Sequence, residues 1–162
     1  MRIKLRSLTR AAILAAVYAT LTIILAPISY GPFFQLRVAE ALTILPFLTP
    51  VAIPALFLGC IIANVFGGLG VYDIVFGSLA TLLSAFLTWK MPKSRPWLAP
   101  LPPVIVNAVV VGLYLSALIK VPAWITIGWV GLGELCACYG IGLPLLYAIR
   151  SSKRFSHIVQ GR

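Results

Sequence analysis

From Ala11 to Ile149 the chain is a succession of long apolar runs, cut only by prolines, glycines and short basic clusters. None of these runs alternates apolar and polar residues with a period of two. Inside lipid every backbone N–H and C=O must find a partner within the protein, which leaves helices or a closed barrel. Continuous apolar runs select helices, because barrel strands alternate. Only 10% of the residues are charged, against about 25% in a soluble domain. Such a chain has too little polar surface to face water, and it reads as an all-α integral membrane protein forming a single membrane domain over 1–162.

The net charge of +10 would suit nucleic acid, but its distribution does not. The basic residues gather at Arg2, Lys4, Arg6 and Arg10, at Lys90, Lys93 and Arg95, and at Arg150, Lys153, Arg154 and Arg162; only Arg37 and Lys120 fall elsewhere. Clusters flanking apolar runs are the signature of cytoplasmic loops. Both termini and the 90–95 loop are therefore expected on the cytoplasmic side of the cell membrane. The first apolar run carries no convincing small-residue cleavage site and is read as a retained span.

Three cytoplasmic points impose a parity: an even number of spans lies between each pair. One span runs from 11 to 26 and another from 71 to 89. The intervening 38–66 is too long for one crossing and holds Pro46, Pro50 and Pro54. It divides into 38–48 and 51–66, the first short for a bilayer that takes about 20 helical residues. Spans over 99–119 and 123–149 complete a six-helix bundle. Residues 27–37, 67–70 and 120–122 then lie outside.

This topology puts all three acids, Glu40, Asp73 and Glu134, in the outer half of the bundle, with Asn64 and Asn107. An ionisable residue inside the membrane is costly and points to function. Each has a structural reading beside it. Asp73 follows a glycine-rich turn and could cap a helix. Asn64 could close a helix end. Arg37 and Glu40 could form an ion pair at the interface. Asn107 could bond between helices. Glu134 is hardest to explain structurally, since Ile127-Gly128-Trp129-Val130-Gly131-Leu132-Gly133 before it offers small residues where a ligand or a backbone can approach.

Cys136 and Cys138 point to different faces of one helix, His157 stands in a basic tail, and no metal set or cofactor motif is legible. There is no phosphate-binding G-x-x-x-x-G-K-[ST] loop and no nucleophile–base pair, so no enzyme is expected. Ala11, Ala15 and Ala19 share one face of the first helix, with Ala12 and Ala16 beside them. Small residues at that spacing let helices approach closely in lipid, either within the bundle or against a partner protein.

The blocks Tyr30-Gly31-Pro32, Gln35-Leu36-Arg37-Val38-Ala39-Glu40-Ala41-Leu42-Thr43, Asp73-Ile74-Val75-Phe76-Gly77-Ser78-Leu79-Ala80-Thr81-Leu82, Pro102-Pro103-Val104-Ile105-Val106-Asn107-Ala108 and Gly131-Leu132-Gly133-Glu134 resemble the QueT family. These are substrate-binding S-components of energy-coupling-factor (ECF) transporters, assigned to queuosine precursors. The resemblance covers about residues 10 to 150. It implies a six-helix S-component fold, a transmembrane coupling protein and two cytoplasmic ATPases as partners, and docking through the alanine face. It also implies that the loop over 28–37 helps to cover the ligand, a 7-deazaguanine or a relative.

Such a base presents two adjacent N–H donors, which one carboxylate accepts together. Glu134 suits that edge, Asn64 or Asn107 the carbonyl, and Tyr72, Trp124 or Trp129 a flat face. Glu40 or Asp73 would meet an aminomethyl cation, and Arg37 borders the same region. A stand-alone proton-coupled transporter with Glu40 or Glu134 as proton site is the alternative, although no inverted repeat is visible.

Overall fold

The computed structural model describes residues 5–31, 35–67 and 70–152. Arg2, Lys4, Lys153, Arg154, His157 and Arg162, with loop positions 32–34 and 68–69, lie outside them. The described residues are helical, with no strand among them. The elements are α1 (Leu5–Ile24), α2 (Ala26–Ser29), a 3₁₀ helix (Val38–Phe47), α3 (Ala52–Gly67), a π turn (Asp73–Gly77) leading into α4 (Ser78–Lys90), a short 3₁₀ turn (Pro96–Leu98), α5 (Leu101–Ile119), α6 (Ala123–Leu135), a second π turn (Cys136–Gly142) and α7 (Leu143–Ser151). Among the described residues, three stretches are long and apolar enough to cross a membrane: Leu5–Ile24, Pro96–Ile119 and Ala123–Ser151.

The polarity of the bundle is inverted relative to a soluble protein. Ile24, Val65, Phe66, Val71, Leu113 and Leu132 lie exposed on its outside, while Glu40, Asn64, Asp73, Asn107 and Glu134 are buried. Lipid solvates the first set, and the second set needs partners within the protein.

Val38–Phe47 is the unusual element. A 3₁₀ helix seldom exceeds three or four residues, and this one has ten. Pro46 lies inside it and has no N–H to donate. Thr43 Oγ1 donates to the Glu40 carbonyl at 2.6 Å, matching the tighter three-residue spacing. At about 2.0 Å per residue it extends roughly 20 Å, where an α-helix of equal length reaches about 15 Å. The shortness of this stretch is thus partly offset by its pitch.

Backbones meet closely at several glycines, two of them on α3 and the second π turn. A Cβ on Gly59 of α3 would lie 2.8 Å from the Ala15 carbonyl oxygen of α1, and one on Gly142 would lie 2.9 Å from that of Ala41. The first contact bears on the alanine face of α1. Ala15 and Ala19 are buried inside the bundle, and Ala11 is half-buried. Ala12 and Ala16 are the members of the alanine set left exposed.

At the opposite end from the acids, Lys93 donates to the carbonyls of Phe47 and, at 3.2 Å, of Trp89. Its ammonium stands 4.2 Å from the Phe47 ring centroid, with the Arg150 guanidinium at 6.0 Å. Partial burial, and then the nearby Arg150 charge, push the Lys93 pKa down. The 90–95 loop and the end of α7 therefore converge on one basic end of the molecule.

Candidate functional site

The irregular helices surround one buried polar cavity. It is lined by Gln35, Arg37, Glu40, Gly77, Thr81, Asn107, Val111, Val130 and Glu134. The space open to the centre of a water-sized sphere is only ≈ 10 Å³, about the room one water requires. The 3₁₀ helix presents Glu40, the first π turn Gly77, and α6 presents Glu134 one residue before its last, just ahead of the second π turn. Departures from α geometry within helices are frequent at functional sites.

The chain reaches the cavity from α2 as the extended segment 35–37. Leu36 N–H donates to the Ile28 carbonyl at 3.1 Å. The Gln35 carbonyl rests directly on Gly133, where any Cβ would overlap it. Arg37 Nη2 donates to both Asp73 oxygens, at 2.9 and 2.8 Å. The Tyr114 hydroxyl donates to the same carboxylate. Asn64 Nδ2 donates to the Asp73 backbone carbonyl at 2.8 Å.

Tyr30 lies against this pair, with its ring centroid 5.2 Å from the guanidinium. Its hydroxyl donates to the Ala63 carbonyl at 2.7 Å. Burial pushes the Tyr30 phenol up to about 12, against the opposing pull of Arg37, so it remains a donor.

The two glutamates are held by neutral donors. Glu40 Oε1 accepts from the Tyr18 hydroxyl and lies 3.5 Å from Thr81 Oγ1. Glu134 Oε1 accepts from Asn107 Nδ2 at 3.0 Å, and its Oε2 lies 3.5 Å from the Cys138 thiol. Four polar atoms of the lining residues have no protein partner: Gln35 Nε2, Arg37 Nε, Glu40 Oε2 and Asn107 Oδ1. A buried donor or acceptor left unpaired costs about 1–3 kcal/mol. Two donors and two acceptors around one small cavity form a matched set for a ligand that carries both.

Glu134, Asn107, Glu40 and Arg37 of the expected site residues line the cavity together. Asp73 and Asn64 do not; they stand behind Arg37 and fix it. Asp73 is neither a surface group nor a helix cap, since its carboxylate is engaged by Arg37 and Tyr114. Arg37 is paired with Asp73 and not with Glu40. Tyr72 is exposed and stacks on Phe76 with centroids 6.2 Å apart. Trp124 is exposed, and neither it nor Trp129 lines the cavity. Gln35, Thr81 and Tyr18 were not expected. Gln35 carried a usable signal, being the one glutamine near an acid in an otherwise apolar stretch.

A helical chain clad in apolar side chains, with an enclosed polar cavity among its helices, has the build of a membrane transporter. The model of the family described as QueT transporter matches residues 8–151, nearly the whole chain. The protein belongs to that family. No curated protein and no solved structure gives a match.

Proposed function

We propose that this chain is the substrate-binding S-component of an ECF-type importer, and that it takes up a 7-deazaguanine-type queuosine precursor. The observation that carries the reading is the set of unpaired buried donors and acceptors around the cavity. A deazaguanine has an N–H donor edge for Glu134 and a carbonyl for Gln35 Nε2 or Arg37 Nε. Its remaining donors suit Asn107 Oδ1. A cavity of this size admits no heterocycle, so binding one requires the lining to open. The 35–37 segment is the part best suited to move, since it is extended chain and contributes two lining residues. The six spans, cytoplasmic termini, a coupling protein and two ATPases belong to the same proposal.

Native mass spectrometry of the protein purified with its retained ligand tests the substrate. A 7-deazaguanine mass is expected; a ligand of another class overturns it. Co-purification of ATPase subunits tests the coupling. The two glutamates at one cavity also favour a second reading, a proton-coupled transporter acting alone. Uptake that persists in cells lacking every ATPase partner would select it.

A further inference from the structure

A larger hollow lies apart from the polar cavity, against α1. It offers ≈ 250 Å³ to the centre of a water-sized sphere, where the cavity offers ≈ 10 Å³. Ile13 and Val17 of α1 form one wall; Leu45 and Val51, on either side of the turn at 49–50, form the other. A more open hollow of ≈ 340 Å³ shares Ile13 and Val17 and continues past Ala16 and Thr20 to Leu21. Together they make one apolar furrow along α1. At about 1.5 Å per residue, the stretch from Arg10 to Leu21 is roughly 16 Å long. That is about half of a hydrocarbon core of about 30 Å, the depth of one leaflet. Protein interiors are close-packed, so a furrow this large on a lipid-facing helix is filled by something from outside the bundle.

The furrow has a polar end. Arg10 lines it there, and Thr49 lines it from the facing turn. Among the described residues Arg10 has no ion pair, and neither side chain has a hydrogen-bond partner. The chain has only three carboxylates to offer. Glu40, Asp73 and Glu134 are all buried and engaged by Tyr18, Arg37 and Asn107 in turn. Thr49 follows closely on Phe47, whose carbonyl takes Lys93, so Arg10 belongs to the basic end of the molecule.

We propose that this furrow binds a single anionic phospholipid, with its phosphate on Arg10 and Thr49 and one acyl chain lying along Ile13, Val17 and Leu21. A guanidinium gives a phosphate two parallel donors, and the threonine hydroxyl adds a third. Basic pockets between helices at the membrane surface suit anionic headgroups. A zwitterionic lipid would bring a second cation to an end of the protein that has no acid to receive it. A partner helix fits less well. Close helix contact in lipid needs small residues, and the deep part of the furrow is walled by Ile13, Val17, Leu45 and Val51. The site is independent of the polar cavity and of what that cavity binds.

The test is native mass spectrometry of the full chain, stripped of lipid in detergent and titrated with phosphatidylglycerol or with phosphatidylcholine of the same acyl chains. One phosphatidylglycerol per chain should be retained, about fivefold more tightly than phosphatidylcholine, the scale of one basic residue at an anionic surface. Arg10→Gln should bring that ratio close to one. Lys90→Gln removes an exposed charge from outside the furrow and should leave it unchanged. Val17→Trp fills the furrow from a position that is 42% exposed, and should lower retention of both lipids severalfold; a thermal melt confirms that each variant is folded.

Equal retention of the two lipids overturns the anionic site. So does a preference that survives Arg10→Gln, or one that falls as far in Lys90→Gln, which would reflect the basic end as a whole. Undiminished retention by folded Val17→Trp protein overturns the placement of the acyl chain. If no lipid is retained and Val17→Trp instead loses a co-purifying membrane subunit, the furrow belongs to a partner helix and the lipid site is refuted.

Discussion

Asp73 offers the sharpest test of how the site is built. Its carboxylate holds Arg37 inside the bundle, 2.8–2.9 Å from Nη2, with the Tyr114 hydroxyl on the same group. Removing one member of a buried pair costs about 3–5 kcal/mol, because the other charge is left without compensation. Asp73→Asn keeps one acceptor for the guanidinium and loses the charge, so a loss near the lower end, about 3 kcal/mol, is expected. Arg37→Met should cost less, because a carboxyl group freed of its partner can neutralise itself by taking up a proton.

The double variant carries neither charge. Its loss should fall short of the sum of the single losses by about 2 kcal/mol, the coupling expected of groups in direct contact. The assay is reversible unfolding in mixed micelles, following helix content by circular dichroism for the natural protein and the three variants. The double variant should also bind no ligand, since Arg37 lines the cavity. A helix-capping aspartate would tolerate asparagine almost without loss. Asp73→Asn protein as stable as the natural chain, within about 0.5 kcal/mol, would therefore refute the latch formed by Arg37 and Asp73.

Three further outcomes follow from the same geometry. Glu134→Gln should weaken binding of a 7-deazaguanine by about 2–4 kcal/mol, the scale of an interfacial charged contact; unchanged affinity in a folded variant, read by calorimetry, removes Glu134 from the site. Gly133→Ala inserts a methyl where the Gln35 carbonyl rests, and should cost about 1–3 kcal/mol of stability while lowering ligand affinity at least severalfold; full affinity would mean that 35–37 does not cover the ligand. Ala15→Leu should destabilise by about 1–3 kcal/mol through overpacking against Gly59, whereas Ala16→Leu, on the exposed side of α1, should stay within about 0.5 kcal/mol and lose uptake only if that side docks a partner. A melting curve and an uptake assay on each pair separate these outcomes.

Much of the fold was legible because lipid solvation reduces a chain to few signals. Apolar runs gave the helices, and prolines and glycines gave their ends: Pro50 precedes α3, Gly70 lies just before the π turn, and Pro122 precedes α6. The acids were legible for the converse reason, since a carboxylate in an apolar run has few structural uses. The pairing among them was not. Spacing along the chain placed Arg37 three residues from Glu40, yet Arg37 reaches Asp73, which is 36 residues away. Only the path of the 35–37 segment across the bundle decides that, and no local pattern encodes it.

The aromatic and alanine residues were harder to place from the sequence, for a shared physical reason. In water, an exposed tryptophan or a stripe of small residues stands out against a polar surface. In lipid, the outside of the bundle is as apolar as its inside, so neither composition nor helical period separates a face turned to lipid from one turned to a neighbour. Tyr72 and Trp124 could therefore be read as stacking platforms and are exposed, while the face of Ala15 and Ala19 could be read as meeting the bundle or a partner, and both residues are buried in the bundle. Polar residues escape this ambiguity, because hydrocarbon penalises them on any outward face. Gln35, Thr81 and Tyr18, which line the cavity or hold one of its acids, are all polar or carry a hydroxyl. For a chain of this kind, the polar residues of the apolar stretches locate the buried cavity, and the large aromatic residues do not.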